Sequence, residues 1–290
     1  MPASWLQLSL KAPPSALDTI SNFLIELGSP GVVVKGDEVQ AFFARPARTI
    51  ALKMDIQRFL IGIREIYPRI GEQPMRWTIL KDRNWNSSWR RFFSPQKIGK
   101  SLWITPPWLH PPPFKQRQVI TIEPGMAFGT GTHSTTRSCL EFLEAVVTSL
   151  VQKNATALDV GTGSGILAIA LAKMGATKIL ALDNDPVALE VARLNVRRNR
   201  VERAVRLSKF ALDQVKESFA VVVANLTAET IIDLASELQK KVSPKGYLVL
   251  SGILGPEAGD VLRAFSPHIF VLVRQKRRKE WATLLLKKKG

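Results

Sequence analysis

The stretch ALDVGTGSGILAIALAKMGATKILALDNDP, Ala157 to Pro186, decides the fold. An apolar run ends in Asp159, and a glycine turn follows with Gly161, Gly163 and Gly165. An apolar helical run comes next, then a second apolar run that ends in Asp183. Strand, tight turn, helix and parallel strand make one right-handed βαβ unit. Glycine lets the backbone turn sharply and approach a ligand with no Cβ in the way. The helix behind the turn begins with unpaired N–H groups. Asp183, at the carboxyl end of the second strand, sits where a ribose diol would be held.

A nucleotide-like ligand follows from this unit, but its kind does not follow from the glycines alone. The dinucleotide fingerprint G-x-G-x-x-G asks for glycine at its sixth position. Counted from Gly161, that position is Ile166.

Outward from this unit, apolar runs predict strands near 156–160, 178–183, 204–208, 219–224, 246–251, 269–273 and 281–286, with helices over 164–174, 187–199 and 228–240. No helix fits between the last two strands, where a basic turn runs from Arg274 to Glu280. Six alternating units closed by a hairpin describe a seven-stranded sheet whose final strand enters antiparallel. Its ligand crevice lies at the carboxyl ends of the first strands.

Upstream, residues 1–81 read as a small domain of order βαββαβ, an α+β ferredoxin-like sandwich. Residues 15–27 carry helical spacing and stop at Gly28, a C-cap. Val32–Val34 and Val39–Phe43 flank a hairpin turn at Gly36-Asp37. Leu52, Ile56, Leu60 and Ile63 mark one face of a second helix. Residues 82–115 change character, with four of the seven tryptophans and five prolines between Pro106 and Pro113. This segment reads as a linker: a helix over 84–93, then an extended lead over 98–113, since proline forbids regular helix there. The catalytic domain is expected over 116–290.

The chain has 290 residues and a net charge of +17. The charge is uneven: residues 1–115 carry net +8, residues 271–290 net +7, and the middle only +2. Basic ends around a near-neutral core point to contact with RNA or a ribonucleoprotein surface, set against a merely solvated basic surface. The one cysteine, Cys139, permits no internal disulfide and fits a reducing cytoplasm. Three scattered histidines and that cysteine make no structural zinc site, and no metal is expected. Neither a membrane-spanning apolar run nor a basic-then-apolar leader is evident. A monomer is the expectation.

Two further stretches carry chemistry. VITIEPGMAFGTGTHSTT, residues 119–136, sets Gly125, Gly129 and Gly131 among threonines. Small residues and hydroxyls suit a loop over a polar ligand, and Thr136 opens a helix over 136–151. His133 alone reads as a hydrogen-bonded loop histidine rather than a base. VVVANLTAE ends the fourth strand with Asn225 at its tip. Methyltransferases of base amino groups carry proline and an aromatic here to clamp an unstacked base. Asn225-Leu226-Thr227 lacks that platform, but Asn225 can still offer oxygen to an amine. Its alternative reading is a cap for the helix from 228.

EPGMAFGTGTHSTT, LDVGTGSGILAIA, LALDNDP and VVVANLTAE together resemble the successive motifs of the PrmA family, methyltransferases of large-subunit ribosomal protein eleven. SWRRFFSPQKIGKSLWITPPW and KEWATLLLKK resemble that family's linker and last strand. The resemblance covers residues 84–290 closely and the first 80 only in general pattern. It implies a seven-stranded Rossmann-like α/β methyltransferase domain and an N-terminal domain that grips the substrate protein. It also implies S-adenosyl-L-methionine (SAM) held by Thr136, Gly161, Gly163, Asp183 and Asn225, with Phe128, Gly129 and Thr130 near the methionine end. Methylation of lysine ε-amines and the α-amino terminus is the activity implied. Asn225 would orient the amine, with no general base. Glu123 stands where the family often has Asp or Asn. Alternatives that the residues leave open are a lysine methyltransferase with another protein target, an RNA methyltransferase, and a ribosome-binding module without catalysis.

Overall fold

The computed structural model describes residues 4–44, 49–68, 70, 74–81, 94–110, 117–123, 133–150 and 155–290. They fall into two compact units that meet in the chain at Ser94 and Pro95.

The first unit runs β1 (Ser4–Lys11), α1 (Leu17–Glu26), β2 (Val32–Lys35), β3 (Glu38–Ala44), α2 (Thr49–Gly62) and β4 (Arg76–Lys81). Its sheet has the order β2-β3-β1-β4, with every neighbouring pair antiparallel. Leu6, Leu8 and Leu10 alternate onto the buried face of β1 and meet Leu17, Ile20 and Leu24 of α1 and Leu52, Ile56 and Leu60 of α2. Gly28 ends α1 in the left-handed region at φ +94°, as its place after the last apolar turn predicts.

The second unit begins with a small sheet of order β5-β6-β7, formed by Gln96–Ile98, Leu102–Thr105 and Gln118–Thr121. Strand β6 lies within the stretch 98–113 expected to lead extended into the next domain, and β5 reaches it at Ile98. Ile98, Leu102 and Ile104 join the core of the second unit, so burial pairs this extended chain into a sheet. The expected helix over 84–93 lies outside the described residues. The turn between β5 and β6 wraps a carboxylate of helix α3 (Ser134–Leu150). Lys100 N–H donates to Glu144 at 2.9 Å, and Ser101 N–H donates to it at 2.5 Å.

The main sheet has seven strands in the order β10-β9-β8-β11-β12-β14-β13. These are β8 (Thr156–Val160), β9 (Lys178–Leu182), β10 (Val205–Ser208), β11 (Phe219–Asn225), β12 (Val242–Leu254), β13 (Phe270–Arg278) and β14 (Trp281–Lys288). Only β14 is antiparallel to its neighbours, lodged between β12 and β13. Strand alternation divides the apolar residues between two cores. Ala157, Val221 and Val223 face α3 and helix α4 (Ile166–Lys173). Leu158, Val222 and Ala224 face helices α6 (Ala228–Asp233), α7 (Ala235–Lys241) and α8 (Ala258–Arg263). Buried on both faces, the central strands are apolar throughout.

Two expectations need correction. The helix expected over 228–240 is two helices that meet at Leu234. The basic stretch from Arg274 is not a turn but the second half of β13. Lys276 and Arg278 alternate onto one face and both bond Glu141 of α3, while Arg274 lies over the Phe142 ring. Burial pushes the Glu141 carboxyl up, but the two cations outweigh it and hold the group below its ordinary value. Among the described residues, no helix is long and apolar enough to cross a membrane.

Candidate active site

Strand order reverses between β8 and β11, so a crevice opens at their carboxyl ends. The glycine turn after β8 takes φ values of +72°, +53° and +81° at Gly161, Gly163 and Gly165, a region that L side chains rarely enter. Gly161 and Thr162 both donate N–H to the Leu182 carbonyl, at 2.9 and 2.8 Å, which pins the turn to the end of β9. Asp159 supports it from beneath. One carboxylate oxygen, Oδ2, accepts from Thr162 Oγ1 at 2.6 Å and from Ala168 N–H at 3.1 Å. Asp159 is fully buried, and burial pushes its carboxyl up to about 7.

Asp183 closes the turn from the side. Its Oδ2 accepts the Gly163 N–H at 2.8 Å and its Oδ1 the Asp185 N–H at 3.0 Å. Asp185 in turn caps helix α5 (Pro186–Arg198) by accepting the Val187 N–H at 2.8 Å, with Pro186 at the first helical position. The half-buried Asp183 carboxylate keeps lone pairs for further donors.

The tip of β11 faces this turn. A Cβ built on Gly161 would lie 2.4 Å from Leu226 Cδ2, so the two loops abut. Leu226 N–H donates to the Ser251 carbonyl at 3.0 Å. Gly252 follows at φ +85°, where a Cβ would lie 2.3 Å from the Leu226 carbonyl oxygen. Only glycine admits the Asn225-Leu226 turn so close to β12. Thr227, not Asn225, caps α6 by accepting from the Thr230 N–H. The capping alternative for Asn225 therefore falls away.

Asn225 Oδ1 and Thr136 Oγ1 are buried at this end with no partner among the described residues. Thr136 lies one turn before Cys139 on α3. The Cys139 thiol bonds Ser251, the β12 partner of Asn225, and burial raises it to about 12, which removes it as a nucleophile. His133 Nδ1 bonds Thr135 Oγ1 at 2.6 Å, and its ring meets Trp281 edge-on at a centroid distance of 5.2 Å.

Of the residues expected at a cofactor, Gly161, Gly163 and Asp183 are joined directly by hydrogen bonds or chain. Asn225 adjoins them through Leu226, and Thr136 stands on the helix that packs against β12. Phe128, Gly129 and Thr130 lie outside the described residues. Sequence reading passed over Asp159 as a support and Gly252 as a spacer; the positive φ of Gly252 has no motif around it to announce it. The set fits SAM. An acid with free lone pairs suits a diol, an unblocked backbone suits a close ligand, and two buried oxygens without partners suit a polar, cationic end.

The sheet order, the glycine turn after its first strand and the acid after its second define a Rossmann-like methyltransferase. The family model described as "Ribosomal protein L11 methyltransferase (PrmA)" matches residues 4–289, and the chain belongs to that family. A ribosomal protein L11 methyltransferase of Geobacter metallireducens is 36% identical over 98% of both chains. Another, of Pelobacter propionicus, is 33% identical over 99% of both. A crystal structure of a ribosomal protein L11 methylase from Lactobacillus delbrueckii subsp. bulgaricus covers 68% of this chain and all of its own, at 31% identity and a TM-score of 0.60.

Proposed function

We propose that this protein transfers methyl groups from SAM to lysine ε-amines and the α-amino terminus of large-subunit ribosomal protein L11. The family match from residue 4 to residue 289, across both units, carries this reading. SAM supplies a sulfonium-activated methyl group when bound, so the chain need offer neither nucleophile nor metal. In this reading Asp183 binds the ribose hydroxyls. The positive-φ backbone at Gly161 and Gly163 gives the adenosyl portion room. Thr136 takes the amino-acid end, with Phe128, Gly129 and Thr130 beside it.

Asn225 has the central part in the chemistry. Its unpartnered Oδ1 accepts an N–H of the incoming amine and turns the lone pair toward the methyl. Orientation of this kind is worth about 7–11 kcal/mol when reacting atoms are held at near-attack distance. The amine must arrive neutral, although free lysine titrates near ~10.4. Burial beside a positive charge disfavours the ammonium form and lowers that value. No general base is assigned.

The rest of the proposal is a monomer at work in the cytoplasm, with the first unit gripping the protein substrate. Contact with rRNA falls to cations such as Arg277 and Lys289, which are exposed, because Lys276 and Arg278 are engaged by Glu141. The test supplies methyl-labelled SAM with free protein L11, whole large subunits or stripped rRNA. Label on amines of the protein is expected. Label on rRNA alone, or none anywhere, overturns the reading.

A further inference from the structure

Helix α5 and its C-cap bury two asparagines one turn apart, Asn195 at 1% exposure and Asn199 at 4%. A buried amide is costly unless every polar end is met. Asn199 bonds one strand and its own helix, where its Nδ2 also donates to the Asn195 carbonyl at 2.8 Å. Its Oδ1 accepts the Thr121 N–H at 2.8 Å and its Nδ2 donates to the Thr121 carbonyl at 2.7 Å. The side chain thus pairs with β7 as a neighbouring strand would.

Asn195 divides its bonds. Its Oδ1 accepts the Glu123 N–H at 3.3 Å, just past β7, and its Nδ2 donates to the Ser164 carbonyl at 2.9 Å. Ser164 lies inside the glycine turn, next to the Gly163 whose N–H holds Asp183. Arg198 braces the same junction, with an ion pair to Glu123 at 2.7 Å and a bond to Asn195 Oδ1 at 3.4 Å. A second contact shows how close the helix lies to the turn. A Cβ on Gly165 would come within 3.2 Å of Ala192 Cβ, one turn before Asn195. The amide's direction follows from its partners, since a carbonyl needs N–H and an N–H needs oxygen. Only an amide answers both. Aspartate would set oxygen against the Ser164 carbonyl, and leucine would satisfy neither end.

We propose that Asn195 is a positioning residue for the cofactor. It fixes the Ser164 peptide, and through it the Gly163 N–H and the Asp183 carboxylate, against the end of β7. This rests on the SAM reading above. Asn199 bonds β7 and the Asn195 backbone but makes no hydrogen bond to the turn among the described residues, so it is the internal control.

The experiment compares Asn195→Asp and Asn199→Asp in the full chain. It reads SAM affinity by calorimetry, amide hydrogen exchange at residues 161–165 in the free protein, and melting temperature. Asn195→Asp should weaken SAM by about ten-fold or more and speed exchange at Gly163 and Gly165. It should raise KM for SAM more than it lowers kcat. Asn199→Asp should lower the melting temperature comparably, with SAM affinity within about three-fold of wild type. Equal loss of affinity in both variants, or unchanged affinity and exchange in Asn195→Asp, overturns the proposal. Should Asn195→Asp fail to fold, Asn195→Ser removes the donor to Ser164 without opposing oxygens and is read the same way. If wild type binds no SAM, the functional reading fails by itself. The exchange contrast then still decides whether Asn195 fixes the turn.

Discussion

The two sides of the crevice differ in what they have already satisfied. On the glycine side, the groups that line the turn are met within the protein: Gly161 and Thr162 on Leu182, Gly163 on Asp183, Thr162 on Asp159; beneath them Asp159 Oδ1 is buried with no partner among the described residues. On the facing side, Asn225 Oδ1 and Thr136 Oγ1 are buried with no partner among the described residues. A preformed cradle needs no reordering when a ligand arrives. Buried oxygens without partners cost stability and gain most when a cationic ligand comes to them. The contrast teaches that one wall is built for shape and the other for charge.

The largest effect expected from breaking this contrast is on the glycine side. Asp159 holds its proton to about pH 7, whereas the unfolded carboxyl releases it near 3.8. Below that lower value both states are protonated and the group's contribution is whole. As pH rises toward 7 only the unfolded chain lets the proton go, so folded stability falls. Urea unfolding of the free protein at acid and neutral pH should show wild type losing up to about 4 kcal/mol relative to Asp159→Asn. Parallel pH profiles would refute the assignment.

Next comes the open side. Asn225→Ala should lower kcat by about 10²-fold while SAM affinity changes far less, as single-turnover and binding measurements would separate. Asp183→Ala should do the reverse, weakening SAM by about 30-fold with kcat at saturation largely kept. If both variants lost affinity alone, the division between the walls would be wrong.

Gly252→Ala tests the spacer between the walls. A positive φ and contact with the Leu226 backbone should together cost about 2 kcal/mol, seen in thermal melts, with turnover reduced because Asn225 is displaced. Smallest of all, Glu141→Gln should cost about 1 kcal/mol, with kcat unchanged. Glu141 anchors β13 to α3 through Lys276 and Arg278.

Much of this arrangement was legible in the chain. The apolar runs around Leu158, Ile179 and Val222 are buried on both faces, so their length marks strands directly, and glycine spacing marks the turn. Local chemistry decided both. The sequence reading failed where distant partners decide. Arg274, Lys276 and Arg278 look like a solvated turn until Glu141 and Phe142, more than a hundred residues earlier, give them a face. Residues 98–113 read as extended chain, but which strands Leu102–Thr105 pairs with is set by Glu144 and the core of the second unit. Asn195 and Asn199 look like the polar stripe of an amphipathic helix. Nothing in their spacing says that β7 and the glycine turn lie on that side.

The place of β14 makes one strand's seat depend on another's. Strand β13 reaches the sheet only through β14, which itself rests on β12. Without β14 beside β12, β13 keeps its contacts to α3 but has no strand of the sheet to pair with. A lesion that loosens Leu284 or Leu286 from β12 would therefore shed both strands from the sheet together.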